Sequence, residues 1–256
     1  MMIIDTHCHL YLSEFDNDRA AVMQRALDNQ VQHFLLPAID SSVTNAMFKM
    51  ENDYPTNCFA MMGLHPCSVK ADVEKELSLV YMWLQKRKFI AVGEIGLDFY
   101  WDTNFKEQQI QAFEQQMEWA LDFNLPIVIH TREAMQQTID CVKPFAQKGL
   151  KGVFHCFSGS TAQAKQIIDM QFLLGIGGVV TYKNAGLAET LQQIDVKHLV
   201  VETDAPYLTP VPFRGKRNES AYLSYIIEKI AAIKNLSTTE IATITTANAT
   251  KLFKLQ

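Results

Sequence analysis

The sequence predicts an α/β fold: a closed (β/α)8 barrel in which eight parallel strands are ringed by helices. Three observations carry this. Eight short apolar runs alternate with longer segments of helical period, the pattern of repeated strand–helix–strand units. A count of eight favours a closed barrel over an open sheet, and 256 residues is a usual length for one such barrel. No linker and no low-complexity stretch divides the chain, so residues 1–256 read as a single domain.

The elements follow in order. MIIDTH is the first strand, NDRAAVMQRALDNQ a helix and VQHFLLPA the second strand. SVTNAMFKMEND is helical, CFAMMGLH is the third strand, VEKELSLVYMWLQK is helical and FIAVGEIGL is the fourth strand. The next helix has the clearest period: Ile110, Phe113, Met117, Ala120 and Leu121 share one face, with Gln and Glu elsewhere. LPIVIH is the fifth strand, followed by helix to about residue 147 and KGVFHC as the sixth strand. TAQAKQIIDM is helical, FLLGIGG is the seventh strand, a short helix follows, and HLVVET is the eighth strand. Two helices close the chain. The last starts at Ser237 with Glu240 three residues on, the spacing of a capping box.

Composition narrows the class. An apolar fraction of 48% and a charged fraction of 20% describe a globular protein. A net charge of −5 gives no global basic field for nucleic acid or an acidic membrane. An anionic substrate must therefore be held by local cations or metals. The cysteines at 8, 58, 67, 141 and 156 form no CxxC pair and read as reduced thiols. No secretory signal and no bilayer-length apolar run is legible, so a cytoplasmic location is expected, with no membrane partner and no obligate protein partner.

The chemistry is legible at the strand ends. His7 and His9 stand two apart at the end of the first strand, so both point the same way and Cys8 points opposite. Two imidazoles converging on one object suit a metal ion. His65 ends the third strand, Glu94 lies toward the end of the fourth, His130 ends the fifth, His155 the sixth and Asp204 the eighth. In a barrel these ends surround one mouth, where active sites sit. Only His33 and His198 of seven histidines fall outside the pattern. Four histidines with Glu94 and Asp204 exceed the needs of one tetrahedral zinc. They suffice for two divalent ions bridged by Glu94, whose two oxygens can be shared.

The motifs DTHCHL, GLHP, GEIGLDFY, PIVIHTRE, HCFSGS, ETDAPYLTP and RGKRNES occur in that order. In them the chain resembles the TatD family of metal-dependent deoxyribonucleases, within the amidohydrolase-like barrels. The resemblance spans essentially the whole chain. It implies a TIM barrel holding one or two divalent metals, with His7, His9, Glu94, His130, His155 and Asp204 as ligands. It further implies Mg2+-dependent nuclease activity, in several members 3′→5′ exonuclease, with Zn2+ frequent in crystals; Mn2+ is also plausible in function. Ser220 departs from the pattern, which leads us to expect proline after RGKRNE. The fourth strand offers Glu94 and no lysine, so a carbamylated-lysine bridge is not expected.

The expected reaction is hydrolysis of DNA phosphodiesters by a metal-activated hydroxide, on a single strand or frayed end. Asp204 would orient the water and take its proton, and His65 would hydrogen-bond the phosphate. Arg214, Lys216 and Arg217 in FRGKRN, with Arg132, are the expected phosphate contacts. The aromatics of DFYW, Tyr100 among them, are expected to stack on bases. The nearest alternative is an ester, lactone or amide hydrolase on the same metal site, though a neutral substrate needs no run of arginines. The other is a non-catalytic nucleic-acid or metal-binding protein, against which the full ligand set argues.

Overall fold

A computed structural model describes residues 2–255; Met1 and Gln256 lie outside the described residues. Eight strands carry the frame: β1 (Ile3–Asp5), β2 (Val31–Leu36), β3 (Cys58–Ala60), β4 (Val92–Asp98), β5 (Ile127–Arg132), β6 (Gly152–Phe154), β7 (Leu173–Ile176) and β8 (Leu199–Val201). Between them run α1 (Arg19–Asp28), α2 (Thr44–Asp53), α3 (Val73–Lys86), α4 (Lys106–Asp122), α5 (Met135–Gln147), α6 (Thr161–Asp169) and α7 (Leu187–Gln192). The chain ends in α8 (Leu223–Lys234) and α9 (Thr238–Phe253).

Every strand pairs parallel to its neighbour, in the order β1-β2-β3 and β4-β5-β6-β7-β8. Two bridges, Met62 to Val92 and Cys8 to Ala205, join these strips into a closed ring. The architecture is the (β/α)8 barrel. Inside it, Ile4, Leu35, Met61, Ala91, Val128, Val153 and Val200 pack together, and Ala249 and Phe253 of α9 join them. A larger apolar layer fills the space between strands and helices. Removing this surface from water is the main driving force for the fold.

Two details position the mouth. The register of β4 against β5 slips between Val92 and Ile95, so three steps on β4 match two on β5. Such a bulge turns its strand and re-aims a side chain, and the residues within it are Gly93 and Glu94. Glu94 therefore lies inside β4 rather than at its end, and β4 continues because Asp98 pairs with Arg132. Next, Gly96 has φ 146°, and a Cβ there would overlap the His130 carbonyl oxygen. Only glycine allows β4 to lie this close to the strand that carries His130.

The capping box at Ser237 and Glu240 is formed, and Ser160 with Gln163 builds a second one at the start of α6.

Candidate metal centre

Glu94 and His130 from within β4 and β5 meet His7, His9, His65, His155 and Asp204 from just beyond β1, β3, β6 and β8, so all the expected ligating side chains come together in one cluster. Glu94 is its hub, with a side chain only 3% exposed. Its Oε2 lies 3.1 Å from His7 Nε2 and 3.7 Å from His9 Nε2. Its Oε1 lies 2.8 Å from His155 Nε2, 2.9 Å from His130 Nδ1 and 3.4 Å from His65 Nε2. Asp204 Oδ1 closes the group, 3.7 Å from His7 Nε2 and 3.5 Å from His9 Nε2. The potential ligand atoms fall into overlapping groups: His7, His9 and Glu94; His7, His155 and Asp204; and His65, Glu94 and His130.

Neighbouring hydrogen bonds fix which ring nitrogens are free. The Tyr11 hydroxyl donates to the Pro37 carbonyl at 2.5 Å, so its oxygen accepts from His9 Nδ1–H at 2.9 Å. His9 Nε2 then keeps its lone pair for a metal. At His65 the opposite holds. Its Nδ1 accepts the Cys67 N–H at 3.1 Å, so the neutral ring carries its proton on Nε2. His65 is thus a donor facing the mouth.

The donor set fits a metal ion. His7 Nε2 and His9 Nε2 lie 3.2 Å apart. A tetrahedral ion with metal–nitrogen bonds of about 2.0–2.1 Å sets its nitrogens roughly 3.3 Å apart. The electrostatics agree. Burial alone would raise the pKa of Glu94, but His155, His7 and His65 hold it well below the usual range. Asp204 is also held low, burial being outweighed by His9, His7 and His155. His7 is lowered by burial and by the charge of His155. Burial would lower His130 and His155 too, but Glu94 and, for His130, Asp98 raise both; the ionised carboxylates thus demand positive charge at the cluster, supplied by protons or by a metal ion.

A parallel barrel with an imidazole–carboxylate cluster at its mouth defines a metal-dependent hydrolase. The chain belongs to the TatD-related DNase family, whose model matches residues 4–254. It is 37% identical over 255 residues to the uncharacterized metal-dependent hydrolase YabD of Bacillus subtilis, covering 99% of this chain and 100% of that one. It is 31% identical over 259 residues to the 3'-5' ssDNA/RNA exonuclease TatD of Pantoea vagans, covering 99% and 100%. Among solved structures, the TatD homolog YJJV from Escherichia coli superposes with a TM-score of 0.93 at 28% identity, covering 99% of this chain and 98% of that one.

The expected substrate contacts divide. Arg132 leaves β5 with its guanidinium 3.8 Å over the Tyr100 ring and 5.1 Å over Trp101. Tyr100 and Trp101 are 53% and 67% exposed. Arg214 lies 4.3 Å over the ring of Tyr182, and Lys216 is exposed beside Phe213. Neither forms an ion pair among the described residues. Arg217 differs from expectation. It donates twice to Asp18, at 2.8 and 2.7 Å, and once to the Glu14 carbonyl at 2.6 Å. A guanidinium committed to a carboxylate this way is an anchor for the loop, not a free phosphate ligand. Ser220, standing at the expected proline, is fully buried. Loop rigidity there comes instead from the Arg25–Glu219 pair and from Asn218, which donates to the carbonyls of Thr203 and Tyr207.

Sequence reasoning missed Tyr11, Asp98 and Glu202. Asp98 accepts from His130 Nε2 at 2.9 Å, and Glu202 faces His155 Nδ1 at 3.5 Å. Alternation along a strand could reach only Asp98, which shares the parity of Glu94 in β4; Tyr11 lies beyond β1 and Glu202 beyond β8, so no strand period points to them.

Proposed function

We propose that this chain hydrolyses phosphodiester bonds in DNA, working 3′→5′ on single strands or frayed ends with two divalent ions. The observation that carries it is the packing of five imidazoles and Asp204 around the single carboxylate of Glu94. His7, His9, Glu94, His130, His155 and Asp204 would hold the ions, with Glu94 offering one oxygen to each side. Mg2+ or Mn2+ is assigned to function on availability, although imidazoles also suit Zn2+. When bound, such ions supply Lewis-acid charge to phosphoryl oxygens and acidify water.

The remaining roles belong to the chain. Glu94 is enclosed by rings, whereas the Asp204 side chain is 13% exposed. Asp204 is therefore the carboxylate that water reaches, and it serves as the proton acceptor. His65, a donor at Nε2, takes a phosphate oxygen. Arg132, Arg214 and Lys216 attract the backbone, and the exposed Tyr100 and Trp101 offer flat faces to unpaired bases. These cations favour a phosphodiester over a neutral ester, lactone or amide. The exonuclease named among the relatives supports the same substrate class.

The test uses a single-stranded oligonucleotide labelled at its 5′ end. Stepwise shortening that stops with EDTA and returns with Mg2+ or Mn2+ is expected. Intact oligonucleotide under every metal, with hydrolysis of a lactone or amide instead, would reject the reading.

A further inference from the structure

The geometry points to Asp98 as the positioning residue that keeps the His130 proton on Nε2 and turns the Nδ1 lone pair toward Glu94. Asp98 is the last residue of β4 and 1% exposed. Its Oδ2 lies 2.9 Å from His130 Nε2. Its Oδ1 accepts the backbone N–H groups of Tyr100 and Trp101, each at 3.0 Å. Its own backbone is gripped at both ends by Gln109 of α4. The Asp98 N–H donates to Gln109 Oε1 at 2.9 Å, and the Asp98 carbonyl accepts from Gln109 Nε2 at 3.0 Å. Gln109 is itself 1% exposed, so neither amide atom has water as an alternative partner. Pairing of Asp98 with Arg132 then fixes the carboxylate against the strand that bears His130.

The chemical consequence is a choice of tautomer. An ionised carboxylate only accepts, so the ring nitrogen facing it must carry the proton. A neutral imidazole has one N–H, which leaves Nδ1 as an acceptor. That acceptor stands 2.9 Å from Glu94 Oε1, which is also an acceptor. Two such atoms stay together with a cation between them, either a metal ion or, on the metal-free ring, a second proton on Nδ1. Carboxylates that orient ligating imidazoles in this way typically change metal affinity 10- to 100-fold when removed, an order-of-magnitude range. The same carboxylate fixes the turn that exposes Tyr100 and Trp101. One buried group therefore ties the aromatic face to the metal cluster. This inference rests on the proposed membership of His130 in the metal set.

The variant Asp98→Asn separates these effects. Its amide oxygen can still accept from Tyr100 and Trp101, while its NH2 is placed against His130 Nε2 and demands an acceptor there. The proton of His130 is then expected on Nδ1, facing Glu94. Two quantities are read on the full chain: the 15N shifts of His130 with Zn2+ bound, and Zn2+ affinity by competition with a chromophoric chelator. In the parent, His130 is expected to be protonated on Nε2. In Asp98→Asn the proton moves to Nδ1, and the affinity for one ion falls roughly 10- to 100-fold. A parent His130 protonated on Nδ1 overturns the inference, and this readout stands even if the variant does not fold. An unchanged tautomer with affinity within twofold overturns it as well. A switched tautomer with undiminished Zn2+ affinity upholds Asp98 as a positioning residue and removes His130 from the proposed metal set.

Discussion

Asp204 illustrates how a single residue is shaped for its task. Its φ of 57° lies in the left-handed region, which aspartate tolerates better than most side chains. The turn folds its backbone N–H back onto the His7 carbonyl at 2.9 Å. The carboxylate is thereby hung over His7 and His9 while one edge stays open to water. Asp204→Asn would keep an oxygen for coordination and lose the proposed proton acceptor. Metal content measured by mass spectrometry should hold, while turnover falls about 10²-fold or more. Turnover within a few-fold of the parent would leave Asp204 a ligand alone. At this scale the expected ligands were legible because imidazole and carboxylate at strand ends are conspicuous. Asp98 was hidden because the apolar run stops at Leu97, which set the end of the strand one residue short.

Elements show where periodicity reads well and where it misleads. In α4 the apolar face was expected to contain Ile110 and Leu121, but these are only half-buried. The buried face instead carries Gln109 and Gln116, seven residues apart, beside Ala112, Phe113, Met117 and Ala120. Gln116 bonds the Leu64 N–H at 2.7 Å and its carbonyl at 3.3 Å, which steadies the loop of His65. Burial of an amide costs little when both its ends are paired. A count of apolar residues cannot find such a glutamine, because its partner lies in a distant loop. The loop after β8 makes the same point with charge. Arg217 reads as one of three equal cations, yet Asp18 of the α1 approach claims it. Arg217→Ala should lower stability by about 1 kcal/mol, given the bidentate geometry and partial exposure, as read by chemical denaturation. A change within error would show that the pair does not anchor the loop. Replacing Arg214 and Lys216 together by alanine should flatten the salt dependence of single-strand binding, the log–log slope falling by about 0.7 for each phosphate no longer neutralised. Hydrolysis of bis-p-nitrophenyl phosphate should fall much less. Equal salt slopes would detach these residues from the backbone.

The whole molecule makes one mouth from distant pieces of chain. Residues 7 and 204 meet only because β1 closes against β8, with the Thr6 N–H on the Val201 carbonyl at 3.2 Å and the His9 N–H on the Ala205 carbonyl at 2.7 Å. The eightfold alternation made that closure legible, since a ring places all strand ends on one rim. Distances within the rim were not legible, because they depend on the bulge at Glu94 and the close approach at Gly96. Among the described residues no helix is long and apolar enough to cross a membrane. With a net charge of −5, the protein has little general attraction for DNA. Under the proposed function, the local cations Arg132, Arg214 and Lys216, with ions in the cluster, would supply it.

The proposed role of Glu94 is to hold the ions that would run the hydrolysis. It is tested most directly by Mn2+ equivalents bound per chain, measured beside strand cleavage, in the parent and in Glu94→Ala. The parent is expected to bind two equivalents and cleave. Glu94→Ala should remain folded by circular dichroism, bind fewer equivalents and cleave nothing detectable, because both sides of the cluster lose their shared oxygen donor. Parent-like cleavage by Glu94→Ala at saturating Mn2+ would remove Glu94 from that role.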